Sequence, residues 1–188
     1  MKSANAIAEL ADRLLRDANA VSIPVDVEFI ARNCGVLLHE EALEDEISGM
    51  LVVKEDTKHI IYNAGHHENR QRFSIAHELG HLYLHHDDGD QLFVDTKMAV
   101  YHRAGAPGAA VYADKASITT PGDEREANHF ASCLLMPADL LRNSIESCHP
   151  GVDAIDEFDV SFLAMSFKVS EQAMLIRLQK LGWKTDFS

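Results

Sequence analysis

Apolar residues recur at helical spacing near the start of the chain. Between Ala4 and Ala20 they fall every three or four residues with charged residues between them, at Ile7, Leu10, Leu14 and Leu15. That period is typical of an amphipathic helix. The next stretch, IPVDVEFIARNCG, predicts a short helix that begins near Asp26 and ends at Gly35.

Three short extended segments follow. They read VLLHE, ISGMLVVKE and HIIYNAG, are rich in aliphatic residues, and are separated by acidic or polar turns. Such runs predict strands, and together they predict a small three-stranded sheet. The strand HIIYN is a candidate edge onto which an extended peptide could add as a further strand.

Two longer helical patterns come after the sheet. The first runs from about Glu68 to His86, and its apolar stripe consists of Phe73, Ala76, Leu79, Gly80 and Leu84. The second begins at Thr120, which can cap it, and ends at Pro137. Between them, residues 87–120 show no convincing period, and we interpret them as a long loop with at most one strand or hairpin. Two further helices are predicted, near PADLLRNSI and within residues 155–184.

The size and composition of the chain limit its class. It has 188 residues, of which 46% are hydrophobic and 25% charged. This balance is typical of a globular domain, so we expect one α+β domain over residues 1–188, with an N-terminal helix in 1–22 and a helix pair in 155–184. No run of about 18 apolar residues predicts a membrane span. Glu9, Asp12 and Arg13 interrupt the apolar run that a secretory signal needs, and a cytoplasmic location is therefore expected.

The net charge of −13 bears on the partners of the chain. It repels nucleic-acid phosphates, and the last predicted helix offers only Arg177 and Lys180 as basic residues, although its pair has the outline of a helix-turn-helix. Direct nucleic-acid binding is therefore not expected, whereas a basic protein would be attracted.

The three cysteines form no C-x-x-C pair, which disfavours both a disulfide framework and a thiolate zinc site.

Candidate metal chemistry lies in the stretch FSIAHELGHLYLHH on the first long helix. His77 and His81 are one helical turn apart, about 6 Å along the axis, so both imidazoles can bind one ion at roughly 2.0 to 2.1 Å. Glu78 follows His77 and is offset from it by about 100° around the helix. A catalytic zinc site also needs a third protein ligand and one open position for water.

The second long helix offers two candidates for the third ligand. His85, on the first long helix, is too far from His77 to bind the same ion, because on an unbroken helix the two residues lie about 12 Å apart along the axis. Glu124 and Glu126 point about 200° apart. Glu124 is favoured because it flanks the apolar stripe on the side of Asn128, its i+4 neighbour, and Glu126 stays the weaker alternative. With Glu124 as ligand, the side-chain oxygen of Asn128 could accept the free N–H of a metal-bound histidine.

These motifs resemble a known family. RQRFSIAHELGHLYLH followed by EREANHFASCLLMP, with IPVDVEFIARNCG and ISGMLVVKED before them and LAMSFKVSEQAMLIRLQKLGW after them, is similar to the ImmA/IrrE-type zinc metallo-endopeptidases. The resemblance covers the chain from about Ile23 to Trp183. It implies that His77, His81 and Glu124 hold the metal. It also implies a zincin-like fold, in which the three-stranded sheet packs on the H-E-x-x-H helix and on a second, glutamate-bearing helix.

The resemblance implies a zinc-dependent endopeptidase of the H-E-x-x-H gluzincin type. Glu78 would act as general base, taking a proton from the attacking water and passing it to the leaving amine. Zinc is the expected metal, and manganese is compatible with the same ligands. A second oxyanion donor is not identified, and the candidates are the loop residues Tyr101, His102, Arg103 and Tyr112.

The resemblance also implies a substrate class. We expect a helix-turn-helix repressor supplied in trans, in a bacterial or prophage regulatory setting, because the sequence shows no N-terminal DNA-binding domain of its own. One alternative is a metal-binding regulator or antitoxin-like protein that binds its partner without measurable proteolysis. The Glu78 carboxylate argues against it, because a structural zinc site needs no base. The other alternative is a non-metallic globular protein with surface histidines.

Overall fold

The computed structural model of the protein describes residues 2–85, 91–96, 119–148 and 154–186. Over these residues the chain is α+β, as predicted. In chain order the elements are α1 (Ala4–Asp17), α2 (Val27–Asn33), β1 (Val36–Glu41), β2 (Ile47–Lys54), β3 (Thr57–Asn63), α3 (Glu68–Leu84), β4 (Gln91–Thr96), α4 (Pro121–Leu135), α5 (Ala138–Cys148), α6 (Glu157–Phe167) and α7 (Glu171–Lys180).

The sheet contains the three predicted strands and a fourth. The strand order is β1-β3-β2-β4. β3 pairs with β1 in parallel and with β2 antiparallel, and β4 pairs antiparallel with the other side of β2. Because β3 is paired on both sides, the prediction that HIIYN offers a free edge is wrong.

β4 lies within the interval that the sequence pattern predicted to be a long loop with at most one strand or hairpin. Its backbone pairs with β2 over Gln91–Thr96, with a register shift between Ile47 and Gly49 of β2. Of the other residues in the interval, 87–90 and 97–118 lie outside the described residues. The strand forms because its backbone hydrogen-bonds to β2. The hydrophobic pattern of the interval does not predict this pairing.

Side-chain caps lie at the starts of the two helices that carry the site. The Thr120 hydroxyl accepts a hydrogen bond from the Asp123 backbone at 3.2 Å, and the Asp123 carboxylate accepts one from the Thr120 backbone at 2.8 Å. This reciprocal pair, with Pro121 at the first helical position, starts α4 where the sequence predicts it. α3 ends at Leu84, slightly earlier than predicted, and His85 is its C-terminal cap.

α3 is the central helix of the fold. Eleven of its 17 residues are buried, because the inner face of the sheet covers one side and α4 covers another. The core between these layers includes Leu51 and Ile60 from the sheet, Leu79 from α3 and Phe130 from α4, all fully buried. Close packing on several sides holds α3 in one orientation.

A buried arginine secures the N-terminal half of α3. The Arg72 guanidinium donates hydrogen bonds to the Val25 carbonyl at 2.8 Å and to the Lys168 carbonyl at 3.3 Å. These bonds tie α3 to the segment before α2 and to the cap of α6.

Among the described residues, no helix is both long and apolar enough to cross a lipid bilayer.

Candidate metal centre

The centre is built where α3 and α4 come unusually close. Gly80 on α3 faces α4, and a Cβ added to it would lie 3.0 Å from the Ala127 Cα and 3.1 Å from the Ala127 carbonyl oxygen. A side chain at position 80 would therefore overlap the backbone of α4. This contact is the packing reason for a glycine inside a helix, where alanine is preferred by about 1 kcal/mol.

Close packing brings three potential ligands together. The Nε2 atoms of His77 and His81 are 2.9 Å apart. The Glu124 carboxylate lies across from them, with Oε2 at 3.3 Å from His77 Nε2 and Oε1 at 3.4 Å from His81 Nε2. One ligand atom from each residue falls within 4.8 Å of the others. The three residues that the sequence placed together thus form a potential metal-binding group.

The spacing of these atoms fits a tetrahedral ion. Ligands bonded at about 2.0 to 2.1 Å in tetrahedral geometry are about 3.3 Å from one another, and the three observed separations are close to that value. Both imidazoles are buried, whereas the Glu124 side chain is 32% exposed. Solvent therefore reaches the group on the side of Glu124.

Electrostatics within the group favour an ionised Glu124. Burial raises the pKa of its carboxyl, but hydrogen bonds with His77 and His81, and a further one with Thr119, lower it by more. The net result is a pKa well below the ordinary value for glutamate. A carboxylate that is ionised without a metal present is already in the form that binds a cation.

Asn128 lies next to the first histidine. Its Oδ1 is 3.2 Å from Nδ1 of His77, one turn along α4 from Glu124. With the proton on Nδ1, His77 donates to Asn128, and its Nε2 lone pair points towards His81 and Glu124. A hydrogen bond of this kind sets both the tautomer and the orientation of an imidazole.

Glu78 sits beneath the sheet, beside the ligand pair. Its side chain is fully buried, and β2 passes directly over it. A Cβ added to Gly49 would lie 3.2 Å from Glu78 Oε1 and 3.4 Å from the Ser74 Cβ. Gly49 was not singled out from the sequence, although an isolated glycine within a strand pattern is a signal for a bulge or a close approach.

The structure separates the two glutamates of α4. Glu126, the weaker candidate for the third ligand, is turned away from His77 and His81. Its Oε1 accepts a hydrogen bond from the Lys2 backbone N–H at 2.6 Å, and its Oε2 is 3.9 Å from His85 Nε2. His85 therefore belongs to a second polar cluster, which the spacing of residues along α3 could not reveal. The oxyanion candidates Tyr101, His102, Arg103 and Tyr112 lie outside the described residues.

Comparison with known proteins is consistent with this site. A family profile described as the IrrE N-terminal-like domain, of the peptidase M78 family, matches residues 31–106 and 108–179. No match is found among curated proteins. A solved structure, a Mycobacterium tuberculosis transcriptional regulator, is similar with a TM-score of 0.56 and 16% sequence identity.

That similarity covers 93% of this chain but 46% of the regulator, so the chain spans about half the length of the protein it resembles. At such low identity the likeness shows a shared fold. The profile match is the stronger finding, because its two segments include both long helices and therefore all three residues of the potential metal-binding group. The chain belongs to the IrrE N-terminal-like family of M78 peptidases, and is a metallopeptidase-like domain.

Proposed function

We propose that the chain is a zinc-dependent endopeptidase that hydrolyses a peptide bond in a regulatory protein. The observation that carries the proposal is the convergence of His77, His81 and Glu124 with Glu78 adjacent on the same helix. Two imidazoles and a carboxylate are a ligand set of catalytic zinc sites, which keep a fourth position open. This set corresponds to the gluzincin type, and manganese is compatible with it.

Glu78 is the general base in this proposal. A bound zinc ion supplies Lewis-acid polarisation of the peptide carbonyl and makes a nearby water more acidic. Glu78 takes a proton from the attacking water and delivers it to the amine nitrogen as the peptide C–N bond breaks. The close approach of Gly49 supports this role, because it confines the carboxylate beneath β2 without covering it with a side chain.

The remaining residues hold the ion and orient its ligands. His77 and His81 bind through Nε2, and Glu124 binds through its carboxylate from α4. Asn128 accepts the Nδ1 proton of His77 and so presents Nε2 as the ligand atom. Contact between α3 and α4 therefore sets the distance between the imidazoles and the carboxylate.

The proposed substrate is a DNA-binding repressor supplied in trans. The similarity to a transcriptional regulator supports a regulatory setting. The net charge of −13 suits a basic partner, since opposite charges accelerate association. Added salt should then weaken the complex, because mobile ions screen charges on exposed surfaces.

Cleavage of a candidate repressor by purified protein tests the proposal. Glu78→Gln should bind zinc like the parent but cleave about 10²- to 10⁴-fold more slowly, which is the usual contribution of a general base. Glu68→Gln is the matched control, because it makes the same substitution on the same helix at an exposed residue. Cleavage by Glu78→Gln at the parent rate would exclude Glu78 as the base.

A second candidate function is a metal-binding regulator that binds its partner without proteolysis. The similarity to a solved transcriptional regulator favours this candidate. It predicts that the partner binds the parent and Glu78→Gln equally well and stays intact with both. Cleavage that depends on Glu78 would exclude it.

A further inference from the structure

A second polar cluster lies directly behind the potential metal-binding group. It consists of Asp123 and Glu126 on α4, His85 at the end of α3, and Lys2 before α1. His85 Nδ1 is 3.4 Å from Asp123 Oδ1, and His85 Nε2 is 3.9 Å from Glu126 Oε2. The rings of His81 and His85 are 5.5 Å apart. The cluster thus touches the metal group without sharing a ligand with it.

The carboxylate of Glu126 is the most unusual member of this cluster. Only 6% of the residue is exposed, and a buried carboxylate is costly unless polar groups surround it. The Lys2 backbone N–H donates to Oε1 at 2.6 Å, and the imidazole of His85 faces Oε2. The Lys2 ammonium in turn donates to the Leu84 carbonyl at the end of α3. The start of α1 and the end of α3 therefore meet at one side chain of α4.

The two acidic partners of His85 lie on either side of Glu124 in the sequence. Asp123 and Glu126 are three residues apart on α4, so they share a face of the helix, and Glu124 projects from the neighbouring face towards His77 and His81. On α3, His77, His81 and His85 follow one another at intervals of four residues. The first two imidazoles face Glu124, and the third faces the residues beside it.

We propose that His85 is a positioning residue for the metal site: by contacting Asp123 through Nδ1 and packing beside Glu126 it holds the first turns of α4 against the end of α3, so that Glu124 stays within bonding distance of an ion bound to His77 and His81. His85 is not itself a ligand, because its ring nitrogens point to the acidic residues of α4. This inference rests on the proposed metal site and assigns a role to residues behind it.

Zinc affinity, measured by competition with a chromophoric chelator, tests the inference. His85→Ala should weaken zinc binding about 10- to 100-fold, the usual effect of removing a group that orients a ligand. His85→Asn should recover part of the loss, because its amide can still donate to Asp123. His129→Ala is the matched control: His129 is a partly buried histidine on α4 whose ring faces Cys133 rather than the cluster, and this variant should bind zinc like the parent.

The absorption spectrum of the cobalt-substituted protein provides a second readout. The intensity of the visible bands depends on the ligand geometry, so His85→Ala should change the spectrum and His129→Ala should not. Parent-like affinity and spectrum for His85→Ala would overturn the inference. Equal losses in His85→Ala and His129→Ala would overturn it as well, because they would indicate general destabilisation.

Two further measurements keep the test decisive. If His85→Ala does not fold, Glu126→Gln replaces it, since glutamine keeps the volume but not the charge of the buried side chain. Weaker zinc binding by folded Glu126→Gln would support the inference, and parent-like binding would overturn it. If the parent itself binds no stoichiometric zinc, or binds it equally well after His77→Ala, the proposed metal site fails first, and the role of His85 fails with it.

Discussion

Replacing Gly80 by alanine tests whether the contact between α3 and α4 sets the geometry of the metal site. The new Cβ would lie 3.0 Å from the Ala127 Cα, 3.1 Å from its carbonyl oxygen and 3.2 Å from Phe130 Cδ1. Carbon atoms in favourable contact are about 3.5 to 4.0 Å apart. Because two of the three neighbouring atoms belong to backbone, a side-chain rotation cannot relieve the overlap. The two helices must therefore separate by about 0.5 Å.

Separation of the helices should affect metal binding. Glu124 lies one turn before Ala127 on α4, so it moves away from His77 and His81 as the helices part. Metal–ligand distances in functional sites vary by only about 0.2 Å, which is less than the expected displacement. We expect Gly80→Ala to weaken zinc binding by about tenfold, comparable to the loss of a group that orients a ligand.

Stability should fall as well, although two effects oppose each other. Alanine favours a helix over glycine by about 1 kcal/mol, whereas overpacking costs about 1 to 3 kcal/mol. The net loss in the free energy of unfolding should therefore be about 0 to 2 kcal/mol. Urea unfolding of the metal-free protein and a zinc competition titration measure the two quantities. Gly80→Ser, with a larger side chain, should show larger effects on both.

The opposite result is equally well defined. If Gly80→Ala becomes more stable by about 1 kcal/mol, helix propensity alone is acting. If it also keeps the parent affinity for zinc, the contact with Ala127 does not control the position of Glu124. Both results together would show that the contact of Gly80 with Ala127 does not set the geometry of the metal site.

Three further outcomes are expected. Zinc at 100 times its dissociation constant should raise the free energy of unfolding by about 2.7 kcal/mol, and a chelator should remove this gain. Thermal unfolding of the parent and of His77→Ala, each with and without zinc, measures the gain. An equal gain in His77→Ala would count against the site. Asn128→Ala should raise the zinc dissociation constant about 10- to 100-fold, with little change in metal-free stability, and calorimetric titration with an unchanged constant would contradict a role in orienting His77. Burial lowers the pKa of His59, and the nearby His39 lowers it further. The neutral His59 imidazole therefore contributes its full stability above the ordinary histidine pKa of 6.5, and this contribution is lost as the pH falls through the lower pKa of the folded state. Urea midpoints at acidic and neutral pH should therefore differ less for His59→Gln than for the parent, and identical differences would contradict this prediction.

Local patterns predicted the elements well because they depend on short-range geometry. The three strands, the H-E-x-x-H helix and the start of α4 each have their signal within a few residues, as in the Thr120 and Asp123 cap. The proximity of His77 and His81 also follows from helical spacing alone. Glu124 required a further step, in which its side of α4 was inferred from the apolar stripe, and the structure places it opposite the two imidazoles.

Contacts between distant segments were not predictable in the same way. The central place of β3 depends on which strands pair, and neighbours along the chain need not be neighbours in the sheet. The approach of Gly49 to Glu78 joins residues of β2 and α3, and a glycine in a strand signals a close neighbour without identifying it. The surroundings of His85 come from α4 and from Lys2, both remote in sequence.

The chemical types at the site and their directions on each helix follow from the order of the residues, because a regular backbone with 3.6 residues per turn converts spacing directly into direction. The order of the residues does not determine the separation of α3 and α4 or the face that each helix turns to the other. The separation of the two helices and the faces in contact depend on long-range packing: the absence of a side chain at Gly80 lets the backbone of Ala127 approach, and Gly49 of the sheet lies against Glu78. Packing of α4 against α3 and α1 brings Glu124 to the imidazoles and directs Glu126, two residues further on, to His85 and Lys2.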